Sequence, residues 1–428
     1  MSGEYKTLSA IDKARLIARI DLRSVIGRSV KLKREDAKKD VGLSPFSAER
    51  SPSFKVWCDH YHCFSTSSHG DIFTWLMTQK GLSFPQAIKE AQVLAGLEIG
   101  EASPAQIKAI DRDIQQRDED EAAYRARLIE YAQKIISESR PATGTIVETY
   151  LYGRDIRVDV LGGLPKALGY HPSLKNRSGE VFRAMTHPVY KNGVVTGAHV
   201  TFLKADGSGK IDATKRGPKG KRAAKQMYGD CFGGAAPLWG ALNPSAPSQS
   251  PQTLNIGEGL ESVMAARQLD ILSGHTAQHG AYWAGLSLGN VTGAQARDKY
   301  NRPLFTQIVT RNGVPVPKLG LPRGVPKPDL NRPGFVPPDH WNGSVRIIAE
   351  DDLKDDLKNK IPGTQRAQEA FHLASAKFNA QAGVRGVWIA WPPAGCDAND
   401  ALQRKVAADN ADSLANLEAF ISTSSGDV

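Results

Sequence analysis

The 428-residue sequence predicts an α/β protein whose C-terminal part is a parallel sheet flanked by helices, preceded by a small β-rich basic lobe and a compact N-terminal domain. Three observations predict it. Apolar runs alternate with helical segments in "TLNIGEGLESVMAARQL", "GAYWAGLSLGN", "VRIIAEDDL", "GTQRAQEAFHLASAKFNA" and "VRGVWIAWPP", and such alternation builds parallel sheets. Asn-Gly and Asp-Gly punctuate the strand-like "FRAMTHPVYKNGVVTGAHVTFLKADGSGK", as hairpin turns do. The Ser- and aromatic-rich stretch from Gly42 to Gly70 reads as short strands bounded on both sides by helical periodicity.

Taken in order, Ile11, Leu16, Ile20 and Ile26 stand at helical spacing and predict a helix, followed by the basic turn "KLKREDAKK". After the short strands, "DIFTWLMTQKGLSFPQAIKEAQVLAG" returns to helical spacing, stopping at Gly81 and resuming after Pro85. This closes a domain over residues 1–100. Residues 101–142 are charged, nearly free of Gly and Pro, and predict a helical connector. Residues 143–245 form the basic lobe, ending in the Pro/Ser linker "ALNPSAPSQSPQ", and residues 246–428 form the α/β domain. Residues 292–342 interrupt it with a Pro-, Gly- and Arg-rich insertion.

No run of about 18 apolar residues is present, so no membrane span is expected. The N-terminus lacks the apolar segment of a signal peptide, and four scattered cysteines argue against a disulfide framework, which together predict the cytoplasm. A net charge of +10 favours a polyanionic partner. That charge is clustered: Lys204, Lys210, Lys215, Arg216, Lys219, Lys221, Arg222 and Lys225 face only Asp206 and Asp212 over the same stretch. The cluster reads as a contact for template phosphates or a triphosphate, or else as a solvated loop. A Walker motif fails, because Ile211 follows Gly209-Lys210, so no fused helicase motor is expected.

In an open parallel sheet, ligands gather beyond the carboxyl ends of the strands, and here two strands end in acids. Glu258 is flanked by Gly257 and Gly259 after "LNIG", while Glu350, Asp351 and Asp352 follow "VRIIA". Clustered carboxylates are costly without a cation, and hard oxygen donors suit Mg²⁺ or Mn²⁺. The alternative for each is a helix cap or a solvated turn residue.

Together these strand ends resemble the Toprim domain shared by bacterial-type DNA primases, topoisomerases and some nucleases. The Glu of "IGEGLES" matches the family's first-strand acid, and "IIAEDDLKD" its acid-x-acid pair. The preferred register puts Glu350 and Asp352 on the pair; a shift of one would put Asp351 and Leu353 there. "PPAGCDANDAL" resembles the Asp-Asn-Asp ending of phage and plasmid primases, placing Asp397 and Asp400 near the same rim. The resemblance implies Glu258, Glu350 and Asp352 as catalytic residues, and the same three with Asp351 and Asp397 as ligands of Mg²⁺ or Mn²⁺. It implies Lys210, Lys215, Arg216, Lys219, Lys221, Arg222 and Lys225 as nucleotide or nucleic-acid contacts.

"GLSPFSAERSPSFKV" and "YHCFSTSSHGDIFTWLM" resemble the N-terminal zinc ribbon of bacterial and phage primases, with Ser44, Ser47, Cys63 and Thr66 at its four ligand positions. One thiolate does not hold structural zinc, so a metal-free ribbon packed by Phe46, Phe54, Trp57, Tyr61, Phe64, Phe73 and Trp75 is expected. The alternative is a substitute site of Cys58, His60, His62 and His69. The whole implies a primase from a phage, plasmid or mobile element, making RNA primers on single-stranded DNA from ribonucleoside triphosphates beside a separate replicative helicase. The alternatives are a Toprim nuclease and a catalytically weak nucleic-acid-binding accessory protein.

Overall fold

The computed structural model describes residues 10–35, 39–46, 52–63, 68–96, 104–240, 253–274, 280–297, 303–306, 309–311, 314–316, 324–339, 341–353, 355 and 361–424. It forms two compact units, Met1–Tyr124 and Arg125–Val428.

In the first unit, α1 (Ala10–Arg19) and α2 (Leu22–Ile26) replace the single helix expected through Ile26. The break comes at Asp21, whose carboxylate caps α2 by accepting from the Arg23 amide at 3.0 Å. An antiparallel sheet follows in simple order: β1 (Leu32–Arg34), β2 (Asp40–Gly42), β3 (Phe54–Val56), β4 (Tyr61–Cys63) and β5 (His69–Gly70). Alternation puts Phe54, Val56, Tyr61 and Cys63 on the buried face, where α3 (Ile72–Lys80) and α4 (Phe84–Leu94) cover them. Asp71 caps α3 and Gly81, at φ 64°, ends it, as the sequence predicts. Phe46, Phe54, Tyr61 and Trp75 meet with ring centroids 5.5 to 6.3 Å apart. Phe73 packs on Phe84, whereas Trp57 lies against His60.

Helix α5 (Pro104–Ser137) fills most of the stretch predicted to be helical, and its C-terminal end belongs to the second unit, where Ala132 and Ile135 pack in the core. There β6 (Arg140–Pro141), α6 (Ile146–Tyr152), α7 (Val158–Leu161), β7 (Gly169–Lys175), β8 (Val181–Lys191) and β9 (Val194–Leu203) follow. Next come the short hairpin β10 (Arg216–Gly217) and β11 (Gly220–Lys221), and then β12 (Lys225–Gly229). The first sheet is antiparallel, in order β12-β9-β8-β7-β6. Asn192 and Gly193, at φ 48° and 77°, turn β8 into β9, which is the geometry that selects Asn-Gly.

The remaining elements are β13 (Ala236–Trp239), β14 (Thr253–Gly257), α8 (Leu260–Leu272), β15 (Gly280–Ala284), α9 (Leu288–Thr292), the hairpin β16 (Val309–Arg311) and β17 (Val314–Val316), β18 (Gly343–Ile348), α10 (Gly363–Asn379), β19 (Val384–Ala390) and α11 (Ala398–Ser424). The second sheet runs β13-β15-β14-β18-β19, with β15, β14, β18 and β19 parallel. Strand β13 lies antiparallel to β15, although its sequence falls within the basic lobe as first delimited. The described insertion residues return to the core through Phe335 and Trp341. Wholly buried Lys377 fastens them, donating to the carbonyls of Val291 and, at 2.7 Å, Phe335.

Candidate active site

Parallel register carries the carboxyl ends of β14, β18 and β19 to one rim. Beyond β14, the Glu258 carbonyl accepts from the Leu286 amide at 2.7 Å and the Gly257 carbonyl from Gly285 at 2.8 Å, so the loop after β15 holds the turn in place. Leu286 sits at φ 71°, a left-handed conformation that costs a branched side chain energy and that marks a constrained site. Glu258 lies within hydrogen-bonding reach of Glu350. Burial, opposed in part by Lys225, raises the Glu258 carboxyl above its usual range. Burial and the neighbouring Glu258 push Glu350 up to about 8. Asp352 is raised too, by burial and by Asp397.

Ser262, one helical turn after Glu258, donates to Glu350 Oε1 at 3.1 Å and lies 3.5 Å from Asp397 Oδ2. Asp397 has two roles: Oδ1 accepts from the Asp400 amide at 2.8 Å, capping α11, and Oδ2 faces Ser262. Asp400 returns the cap to the Asp397 amide at 3.2 Å. Asp351 turns away, accepting from the Gly395 amide at 3.0 Å, and Leu353 packs against the core of the parallel sheet. Glu258, Glu350, Asp352 and Asp397 are therefore the acids brought together, while Asp351 clamps the loop after β19. Among the described residues no three acids, histidines or cysteines enclose a ready-made metal cage.

The basic cluster divides in three. Lys210 and Lys225 converge on Glu261, at 3.8 and 2.9 Å. Arg222 pairs with Glu180 through both guanidinium edges, one of them at 2.7 Å, and covers the Phe182 ring, so it anchors the loop. Lys215, Arg216, Lys219 and Lys221 remain exposed, with Arg216 directly opposite Lys221 across the β10–β11 hairpin. Like charges set side by side oppose pairing unless an anion joins them. Sequence reasoning missed Glu261, Ser262 and Tyr150. The spacing of Glu258, Glu261 and Ser262 around one helical turn was a usable signal; nothing local announces Tyr150, whose hydroxyl reaches Glu261 from 111 residues away.

In the first unit, Ser44 and Cys63 do meet: the Cys63 thiol donates to Ser44 Oγ at 3.1 Å, and Ser44 Oγ accepts from the Phe46 amide at 3.1 Å. Ser47, Phe64 and Thr66 lie outside the described residues. A hydroxyl hydrogen-bonded to a thiol does not fit structural zinc, which takes thiolate and imidazole. Of the substitute residues, His62 and His69 lie side by side across β4 and β5 with ring centroids 5.8 Å apart, whereas His60 stacks on Trp57 at 4.5 Å.

Comparison with known proteins bears on both units. Residues 8–106 match the CHC2 zinc finger family, and residues 126–238 match a domain of unknown function, DUF7146. A DNA primase of Geobacillus stearothermophilus is 35% identical over 112 residues, covering 26% of this chain and 18% of that protein. One from Mycobacterium leprae is 32% identical over 140 residues, covering 32% and 22%. Over these stretches the chain is similar to DNA primases. Its matches span about a fifth of these curated primases. A crystal structure of the zinc-binding and RNA polymerase domains of the Aquifex aeolicus primase aligns over 91% of this chain and 81% of that one, at 14% identity and a TM-score of 0.29. No helix among the described residues is long and apolar enough to cross a membrane.

Proposed function

We propose that the second unit is a Toprim-like nucleotidyltransferase that joins ribonucleotides into short primers on single-stranded DNA. The observation that carries this reading is the meeting of Glu258, Glu350, Asp352 and Asp397 from three strand ends, with proton affinities raised at the first three by burial and mutual repulsion. Such a donor set fits a hard divalent cation, Mg²⁺ or Mn²⁺, held by these four acids. Bound there, the cation supplies neutralisation of charge developing on the transferred phosphoryl group. Ser262 orients Glu350 and Asp397, and the Leu286 turn fixes Glu258. The Lys225 and Lys210 ammonium groups meet the incoming triphosphate, and the exposed hairpin cations meet template phosphates. The first unit contributes template contact without metal chemistry, and unwinding is left to a separate helicase in the cytoplasm.

The test is primer synthesis on mixed-sequence single-stranded DNA with Mg²⁺. Glu258→Gln is expected to lower turnover at least ~100-fold while template affinity stays within about twofold, because basic contacts dominate affinity. Full synthesis by that variant would sink the proposal. Strand cutting in place of synthesis would favour the nuclease, and binding without turnover by the unmodified protein would favour the accessory role.

A further inference from the structure

The acid rim leaves out the most heavily compensated carboxylate of the second unit. Glu261, in the first turn of α8, is only 2% exposed. It accepts from Lys225 Nζ at 2.9 Å and from the Tyr150 hydroxyl at 2.7 Å, with Lys210 Nζ 3.8 Å away. Burial alone would push this carboxyl up, yet the two lysines and the two hydrogen bonds hold it well below the usual range. One cation suffices to neutralise one buried carboxylate; here there are two.

The surplus charge faces outward. The Lys210 and Lys225 side chains keep 31% and 39% of their surface, whereas the Glu261 side chain keeps 3%. Buried His199, 4% exposed and with no hydrogen-bond partner at Nδ1, lies near enough to interact electrostatically with Lys225, Glu261 and Lys210, and burial pushes it down to about 3, so it adds no compensating charge. Lys225 also borders the acid rim: a Cβ built on Gly259 would stand 3.7 Å from its Nζ, one residue from Glu258.

We propose that Glu261 is a positioning residue for a nucleotide's triphosphate: from its buried seat it holds the Lys225 and Lys210 ammonium groups beside the acid rim and sets their combined charge. This rests on the nucleotidyl-transfer reading for the identity of the ligand. The ligand chemistry, a polyphosphate, stands on the cluster itself.

A structural role and a positioning role part company in Glu261→Gln. Loss of a purely structural contact lowers melting temperature, polyphosphate affinity and turnover together. Loss of positioning raises the cluster's net charge, so inorganic tripolyphosphate, measured by calorimetry on the full chain without divalent cation, should bind about fivefold more tightly. Primer synthesis at saturating ribonucleotides should nevertheless fall about 30-fold, since the ammonium groups are no longer held in place. Lys225→Gln should weaken tripolyphosphate binding about tenfold. The inference is overturned if Lys225→Gln leaves tripolyphosphate binding unchanged, or if Glu261→Gln weakens binding in step with melting. Should Glu261→Gln fail to fold, Glu261→Asp keeps the charge but draws the lysines back: unchanged binding with reduced turnover supports the inference, and unchanged turnover overturns it. If the unmodified protein makes no primers but shows this binding pattern, nucleotidyl transfer is wrong and the polyphosphate site stands.

Discussion

Ser44 and Cys63 in the first unit, and Glu258 and Glu350 in the second, are pairs of polar side chains brought within hydrogen-bonding reach by the folding of a sheet. In the first pair a thiol donates to a hydroxyl that also accepts from the Phe46 amide, beside a cluster of four aromatic rings. The second pair is two acids. Burial raises the proton affinity of both, and Glu258 raises that of Glu350 further, so the pair must share protons or take a cation. The physical difference is that the first pair is a thiol and a hydroxyl beside an aromatic cluster, whereas the second gathers buried carboxylates whose proton affinity is raised, which costs stability and marks chemistry.

The largest effect should come from removing that charge. Glu350→Gln is expected to cut metal-dependent primer synthesis ~1,000-fold while raising the melting temperature in the absence of divalent cation, because it relieves repulsion with Glu258. Calorimetry beside a primer assay checks both signs. Reduced melting together with reduced turnover would make Glu350 a structural acid and erase the contrast between the two units.

In the first unit the corresponding sensitivity lies in the rings. Phe54 is 0% exposed and touches Phe46, Tyr61 and Trp75, so Phe54→Ala should destabilise that unit by about 3–5 kcal/mol. Denaturant unfolding followed by Trp75 fluorescence would report it. A loss under about 1 kcal/mol would mean that packing had not taken over from metal.

Much of this contrast was legible in sequence. The apolar-strand endings pointed to Glu258 and Glu350, and a resemblance to a zinc ribbon pointed to Ser44 and Cys63, because each rests on a local pattern of a few residues. What escaped was set by tertiary contacts. Arg222 looked like its lysine neighbours until Glu180, 42 residues away, claimed it. Asp351 differed from Asp352 only in which side of a strand end it faced, and the β13 strand joined a different sheet from β12, the strand just before it. Asp21 broke a helix whose apolar spacing ran straight through it, since a cap bond outweighs continuity at an exposed turn.

Titration sharpens the comparison at the next smaller scale. His187 and His199, cross-strand partners buried in the second unit, are pushed down by burial to about 4 and about 3. Unfolded histidine takes its proton near pH ~6.5, so their contribution is present above that value and lost as pH falls toward 4 and 3, by about 1.4 kcal/mol per pH unit for each. Glu350 acts with the opposite sign: the unfolded carboxyl ionises first, so stability falls as pH rises from the usual carboxylate range to about 8. Without divalent cation the second unit should be most stable near pH ~6.5, and Glu350→Gln should flatten the alkaline side. An alkaline limb that survives Glu350→Gln would assign the repulsion elsewhere.

The smallest expected effect is the most discriminating for the first unit. Ser44→Ala removes one acceptor shared by the Cys63 thiol and the Phe46 amide, a loss of about 0.5–1.5 kcal/mol for a neutral hydrogen bond. Adding a chelator to either protein should change nothing further, because the described residues offer no group of three or more histidines, cysteines or acids to release a metal. A zinc-held ribbon behaves otherwise, since its binding energy is folding energy and chelation unfolds it. Elemental analysis showing about one zinc per chain, with melting lost on chelation, would break the comparison. It would require Cys58, His60, His62 and His69 to abandon the Trp57–His60 and His62–His69 stacks and close around the ion, exchanging two ring contacts for four ligand bonds. Crosslinked packing of Phe46, Phe54, Tyr61 and Trp75 does not depend on that exchange, which is why the first unit is expected to hold its fold with the metal taken away.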